Sequence, residues 1–202
     1  MHKSSQVKMQ NFVNKYLTSK RNENLVIFDL GSQDINGTYK DIFTNPSWKY
    51  IGCDMVPGKN VDLVIKNVYD WQEVDSNSMD VVISGQAFEH IEYFWNTMME
   101  LVRVLKEDCI GCIIAPGICP QHRYPLDCWR FYPDGFAAIA KFAGVKVLEV
   151  YTVWQEPYPE YTNCADTVLV FQKVKLSENE KKKQNAKIEI VKSLARDYEI
   201  NI

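Results

Sequence analysis

The chain has 202 residues, a formal charge of −3 and an ordinary balance of apolar and charged side chains. That length supports one domain with a full core and leaves little room for a second. The mild acidity argues against a nucleic-acid surface, and no apolar run is long enough to cross a bilayer.

The N-terminal residues 1–20 are mixed polar and lack the apolar stretch of a signal peptide, so the expected location is the cytoplasm. The six cysteines are then expected as reduced thiols. Cys109 and Cys112 have the spacing of a metal clip, but they open an apolar run over 109–115 that reads as a strand. Residues three apart on a strand face opposite ways, so the pair cannot share one metal ion.

Taken in order, residues 7–17 place Val7, Phe12, Val13, Tyr16 and Leu17 in a helical pattern, which predicts an N-terminal helix leaning on the domain. Residues 25–30 form an apolar run ending at Gly31 and read as a central strand buried on both faces. A short helix over 39–43 is stopped by Pro46. Strands are predicted over 48–54, 61–65 and 80–84, then a helix over 92–105 with Phe94, Met98, Leu101, Val102 and Leu105 on one face. A strand over 109–115 leads into a long connection, 116–132, rich in Pro, His, Arg and aromatics. Pro133 suits the first position of the next helix, which runs through Phe142. Strands over 145–154 and 167–174 have no helical pattern between them, which predicts an antiparallel pairing. The Lys- and Glu-rich end, 176–202, sets Ile188, Val191, Leu194 and Tyr198 at helical spacing and reads as a surface helix or a frayed tail.

This alternation predicts an α/β fold, a doubly wound sheet of seven strands, mostly parallel with an antiparallel closing strand. The expected organisation is an N-terminal helical extension (1–24), a main domain (25–174) and a charged C-terminal helix or tail (175–202).

Ligands of open α/β sheets bind beyond the carboxyl ends of the strands. The first strand ends in Asp29-Leu30-Gly31-Ser32, where glycine permits a sharp turn and close approach. The second ends at Asp54, placed to accept hydrogen bonds from ribose hydroxyls. A dinucleotide site shares both features, but its pattern requires glycine where Gln33 stands, and Asp34 would repel a pyrophosphate. A cofactor carrying sulfonium and ammonium groups tolerates that carboxylate.

The segment 26–115 resembles the class I methyltransferases that use S-adenosylmethionine. The resemblance rests on Asp29-x-Gly31, Asp54, Ser78-Met-Asp80-Val-Val-Ile-Ser84 and Arg103-Val-Leu-Lys106 in that family's order, and it covers about 26–174. It implies a Rossmann-like sheet and S-adenosylmethionine as cofactor. By position it implies that Asp29, Gly31 and Ser32 hold the methionine portion and Asp54 the ribose. Met55 would pack on adenine, Asn67 and Val68 flank it, and Gln86 and Ala87 lie beneath the sulfonium. The second glycine of the family's first loop is missing at Gln33.

On the acceptor side, Glu89 and His90 follow the fourth strand, where His90 is a candidate base, or the pair fixes the loop by hydrogen bonds. Some members of the family with a carboxylate-x-x-Glu-His run here bind a divalent metal; with Gln86 in the first position, no metal is expected. The run from Pro120 to Tyr132 supplies His122 as a second candidate base, and Arg123 and Arg130 as binders of a carboxylate or phosphate. Tyr124, Trp129 and Tyr132 are candidate pocket walls. The competing structural reading pairs Asp127 with Arg130 and packs the aromatics as core. The run resembles one in a subset of bacterial methyltransferases of surface-polysaccharide or secondary-metabolite pathways.

The expected activity is O-methylation of a small, polar, anionic acceptor such as a sugar, a nucleotide-linked sugar or a phosphate-bearing capsule precursor. No nucleic-acid or membrane partner is expected, and the oligomeric state is left open. The alternatives are a methyltransferase acting on a protein or other macromolecule, an inactive cofactor-binding module, and a nicotinamide dehydrogenase.

Overall fold

The computed structural model describes residues 3–155 and 163–195. Seven strands, β1 (Leu25–Leu30), β2 (Trp48–Asp54), β3 (Leu63–Val64), β4 (Met79–Gly85), β5 (Leu105–Ile118), β6 (Lys146–Thr152) and β7 (Ala165–Gln172), form one sheet in the order β3-β2-β1-β4-β5-β7-β6. Strands β1 to β5 pair in parallel, and β7 runs antiparallel to both β5 and β6. The mostly parallel sheet with an antiparallel late strand is the predicted one. The antiparallel strand lies one place in from the edge, with β6 outermost.

The central strands are continuous apolar runs because helices cover both of their faces. On one face Met9, Phe12 and Val13 of α1 (Lys3–Tyr16) pack against Ile27, Val81, Ile83, Cys112 and Val168. On the other, α2 (Phe94–Val104), α3 (Pro133–Ala143) and α4 (Glu178–Ala195) bury Met98, Leu101, Phe136 and Ile188 with Phe28, Val82, Ile113 and Leu169. Ile27 and Phe28, adjacent on β1, serve opposite cores, as the period of two requires. Cys109 and Cys112 likewise pack on opposite faces and are free thiols.

Pro133 occupies the first turn of α3, and Gly144 ends it in the left-handed conformation (φ 72°), its N–H bonded to the Ala140 and Lys141 carbonyls. On α4, Ile188 and Val191 are buried, and Lys192 Nζ reaches Asp70 (2.6 Å) and Glu100 (3.3 Å). The Leu194 side chain and Tyr198, also expected on this helix, lie outside the described residues.

Several local expectations are corrected. The helix over 39–43 is a single 3-10 turn, Lys40–Ile42. The third strand keeps two residues, paired only to the end of β2. β5 runs past Pro116 to Ile118, because a register irregularity between Pro116 and Ile118 accommodates the proline that was expected to end it. Cys119 and Cys164 form a disulfide, so the six cysteines are not all reduced. They meet because antiparallel pairing sets Ile118 of β5 opposite Ala165 of β7, and the cysteines adjoin that pair. Among the described residues no helix is long and apolar enough to cross a membrane.

Candidate active site

The carboxyl ends of β1, β2 and β4 converge on one place. Gly31 has φ 78°, and a Cβ there would stand 2.5 Å from the Cβ of Ala87. Only glycine lets the loops after β1 and β4 touch in this way. The N–H groups of Gly31 and Ser32 donate to the Cys53 carbonyl at 2.8 and 3.1 Å, tying the first loop to the end of β2.

Asp54 accepts hydrogen bonds from the Gln33 N–H (Oδ2, 3.1 Å) and the Met55 N–H (Oδ1, 2.7 Å). Each oxygen keeps a further lone pair, so the carboxylate can still accept from a ribose. Gln33 lies over Gly58 where the family has glycine: a Cβ on Gly58 would come 2.4 Å from Gln33 Nε2. Asp34 is occupied by Lys59 Nζ (2.5 Å) and the Gly37 N–H (2.8 Å).

The other expected cofactor residues divide. Asp29 is buried and accepts a hydrogen bond from the Tyr50 hydroxyl; burial raises its carboxyl to about 7, against the lowering effect of that bond. Ser32 donates to the Asn60 carbonyl at 2.9 Å, and Met55 packs partly buried against the core. Asn67 accepts from the Tyr69 N–H (2.8 Å), whereas Val68 is buried within the core cluster. Gln86 has φ 56° and sends its amide to Asp166 Oδ1 (3.0 Å) and Ser5 Oγ (3.5 Å), so its side chain braces α1 and β7.

Two residues were missed. Asn60, with φ 68°, donates through Nδ2 to the Ser32 carbonyl (2.9 Å), Thr38 Oγ1 (2.9 Å) and Tyr50 Oη (3.1 Å), joining the loops after β1 and β2. Asparagine tolerates positive φ, and its place in Gly58-Lys-Asn60 was the available signal. Glu89 was read as a loop brace, its Glu-His run having been set aside as a metal site because of Gln86, yet it is fully buried and neither carboxylate oxygen has a hydrogen bond among the described residues.

The 120–132 connection folds back over the turn after β4. The Cys128 and Trp129 N–H groups donate to the Glu89 carbonyl at 2.7 and 3.2 Å. This brings His122 to His90, with ring centroids 5.2 Å apart and edge to face. His122 Nε2 lies 3.8 Å and His90 Nε2 3.6 Å from Glu89 Oε1. The Glu89 carboxylate raises the His122 pKa above its ordinary value, against partial burial.

Arg130 and Asp127 form the structural pair. Arg130 donates to Asp127 Oδ1 (2.6 Å) and Oδ2 (2.8 Å), and its other N–H groups reach the carbonyls of Cys119, Pro120 and Trp129. All five guanidinium donors are taken, which corrects the expectation that Arg130 binds acceptor. Arg123 is exposed, and among the described residues no hydrogen bond or ion pair holds it. Trp129 Nε1 donates to the Ile91 and Glu92 carbonyls, and its ring packs edge-on to Phe94. Tyr124 and Tyr132 are both 56% exposed, so they are not core.

The sequence pattern of the family described as a methyltransferase domain matches residues 37–113. No curated protein matches the chain in sequence. Among solved structures, the chain is similar to a 1,6-didemethyltoxoflavin-N1-methyltransferase of Burkholderia thailandensis holding 1,6-didemethyltoxoflavin and S-adenosylhomocysteine. There the TM-score is 0.65 and the identity 13%, over 85% of this chain and 79% of that one. It is similar to the YcgJ protein of Bacillus subtilis (TM-score 0.63, 11% identity, 87% of this chain and 100% of that one). An arsenic(III) S-adenosylmethionine methyltransferase of Chlamydomonas reinhardtii is also similar (TM-score 0.54, 15% identity, 77% of this chain and 65% of that one). The domain match, on a fold that these structures share, supports an S-adenosylmethionine-dependent methyltransferase with S-adenosylmethionine as its cofactor.

Proposed function

We propose that this methyltransferase O-methylates a small, polar, anionic acceptor: a sugar, a nucleotide-linked sugar or a phosphate-bearing capsule precursor. The observation that carries the reading is the 120–132 connection, pinned to the Glu89 carbonyl. It brings the His122 ring against His90, three residues after Ala87, the contact of Gly31, and Arg123 follows His122 in the chain. Residues 25–174 form the catalytic domain in this reading, with α1 and α4 as flanking additions.

Asp29, Gly31, Ser32 and Asp54 hold the cofactor's amino-acid and ribose portions. Met55 and Asn67 border the adenine, and the backbone at Gln86 and Ala87 floors the sulfonium. Arg123 binds the acceptor's anionic group, and Tyr124 and Trp129 border it. An acceptor oxygen lone pair then forms the new O–CH3 bond as the S–CH3 bond breaks, and the electron pair returns to sulfur to give the neutral thioether. The hydroxyl proton has two nearby acceptors, Nε2 of His90 and of His122. Holding the reactants in line supplies much of the acceleration.

The test is incubation with S-adenosylmethionine carrying an isotopically labelled methyl group, together with sugar nucleotides and phosphorylated precursors, read by mass spectrometry. Label on a small anionic product supports the reading. Label confined to protein or nucleic acid overturns the acceptor class, and turnover of none of these acceptors by cofactor-loaded protein overturns the activity on them.

A further inference from the structure

Glu89 is 0% exposed, and among the described residues neither Oε1 nor Oε2 has a hydrogen-bond partner. A buried carboxylate without hydrogen bonds is strongly disfavoured unless a cation meets it. The Nε2 atoms of His90 and His122 lie 3.6 and 3.8 Å from its Oε1, too far for hydrogen bonds.

The other nitrogen of each ring decides what those Nε2 atoms carry. His90 Nδ1 lies 2.5 Å from the Leu126 carbonyl oxygen and His122 Nδ1 3.1 Å from that of Pro120. A carbonyl only accepts, so Nδ1 holds the hydrogen in both rings. In the neutral rings both Nε2 lone pairs are then bare and turned to Glu89. A ligating histidine whose far nitrogen donates to a backbone carbonyl is the usual support of a metal ligand.

The three ligand atoms lie within 4.8 Å of one another. Metal–ligand bonds of about 2.1 Å would bring neighbouring donors to roughly 3–3.5 Å, a contraction that side-chain rotation can supply. We propose that Glu89, His90 and His122 bind one divalent transition-metal ion next to the methyl-transfer site, contrary to the expectation from Gln86 that no metal binds. Two imidazoles with one carboxylate favour Zn2+, Fe2+, Co2+ or Mn2+ over Mg2+ and Ca2+. Three protein ligands leave a coordination position open. Resting on the O-methylation reading, that position takes the acceptor hydroxyl; with the metal bound, both Nε2 atoms are ligands and give up the proton-accepting role they have in the metal-free site, and the hydroxyl proton passes to solvent.

The test titrates chelator-treated, full-length protein with Co2+, followed by visible absorption and by metal content after desalting; S-adenosylhomocysteine binding is measured separately by calorimetry. One Co2+ per chain is expected, with affinity lowered more than about a hundredfold in Glu89→Gln and in His122→Asn. X-ray absorption of the Zn2+-loaded wild-type protein is expected to show two imidazoles, and this holds the proposal to account if a variant fails to fold. No Co2+ or Zn2+ binding at millimolar metal, equal binding in folded variants, or a zinc shell without imidazole overturns it. Loss of S-adenosylhomocysteine binding with metal binding intact would instead strike the methyltransferase reading alone.

Discussion

Asp29 is held almost entirely away from water, and burial lifts its carboxyl to about 7. Between about pH 4 and pH 7 the folded chain therefore retains a proton that the unfolded chain has released, so this group's contribution to stability falls as pH rises through that window and levels off above it. Asp29→Asn is expected to flatten that fall, by an amount on the order of a few kcal/mol, when urea midpoints of the cofactor-free protein are compared at pH 5 and pH 8. The two arginines of the connection after β5 separate just as cleanly. Arg123→Ala should leave the melting temperature in place and raise the acceptor KM about tenfold or more, since a charge-assisted hydrogen bond contributes on that scale. Arg130→Ala strands the Asp127 carboxylate, whose side chain is 1% exposed, and should lower stability by about 3 kcal/mol, read as a fall in the thermal midpoint. Equal melting temperatures for the two variants would refute this division. None of it was visible in the sequence beyond the i, i+3 spacing of Asp127 and Arg130, which fits a local ion pair as readily as a binding site fits two free arginines.

At the scale of elements, α1 is joined to the sheet by a buried polar set as well as by its apolar face. Ser4 Oγ donates to Asp166 Oδ2 (2.9 Å), Ser5 Oγ meets Tyr39 Oη (2.5 Å), and Gln86 reaches both Asp166 and Ser5. Tyr39 is fully buried, so Ser5→Ala leaves its hydroxyl unsatisfied and should destabilise by about 1–3 kcal/mol. Adding Tyr39→Phe removes the orphan, and the double variant should regain most of that loss; additive losses in a denaturation cycle would show that the two groups act independently. The helical period in residues 7–17 predicted the apolar face of α1, but Ser4 and Ser5 lie before Val7, where that period begins, in a stretch read only as mixed polar. The strands were legible because burial on both faces demands unbroken apolar runs. The helix expected after Tyr39 was not, because a connection of the 3-10 type leaves no period to read. The length of β5 was hidden by Pro116, which normally ends a strand and here sits at an irregularity.

Across the whole molecule, the order of the sheet followed from the alternation of elements, and the proposed cofactor end was read from Asp29, Gly31 and Asp54 at the ends of two strands, β1 and β2. What composition could not supply was long-range pairing. The Cys119–Cys164 bridge spans 45 residues and joins the connection after β5 to the start of β7. Alkylation of unreduced, denatured protein should label the four free cysteines, Cys53, Cys109, Cys112 and Cys128, with all six labelled only after reduction. Six labelled cysteines without reductant would restore the original expectation. The surroundings of Glu89 were hidden for the same reason as the bridge: its burial and its meeting with His122 depend on a connection folding back from the far side of β5.

A chain made from its N-terminus presents β5 before its second partner exists. β4 can pair with it at once, but Ile110 waits for Gln172 and Ile114 for Val168. At ordinary synthesis rates of about 5–20 residues per second, that apolar edge stays open on the order of seconds. Meanwhile β6 leaves the ribosome first and could occupy the slot that β7 must take. An open, apolar strand edge is a template for pairing with other chains. The strand one place in from the edge of this sheet is added last, so the nascent chain carries an open apolar edge that the finished sheet does not.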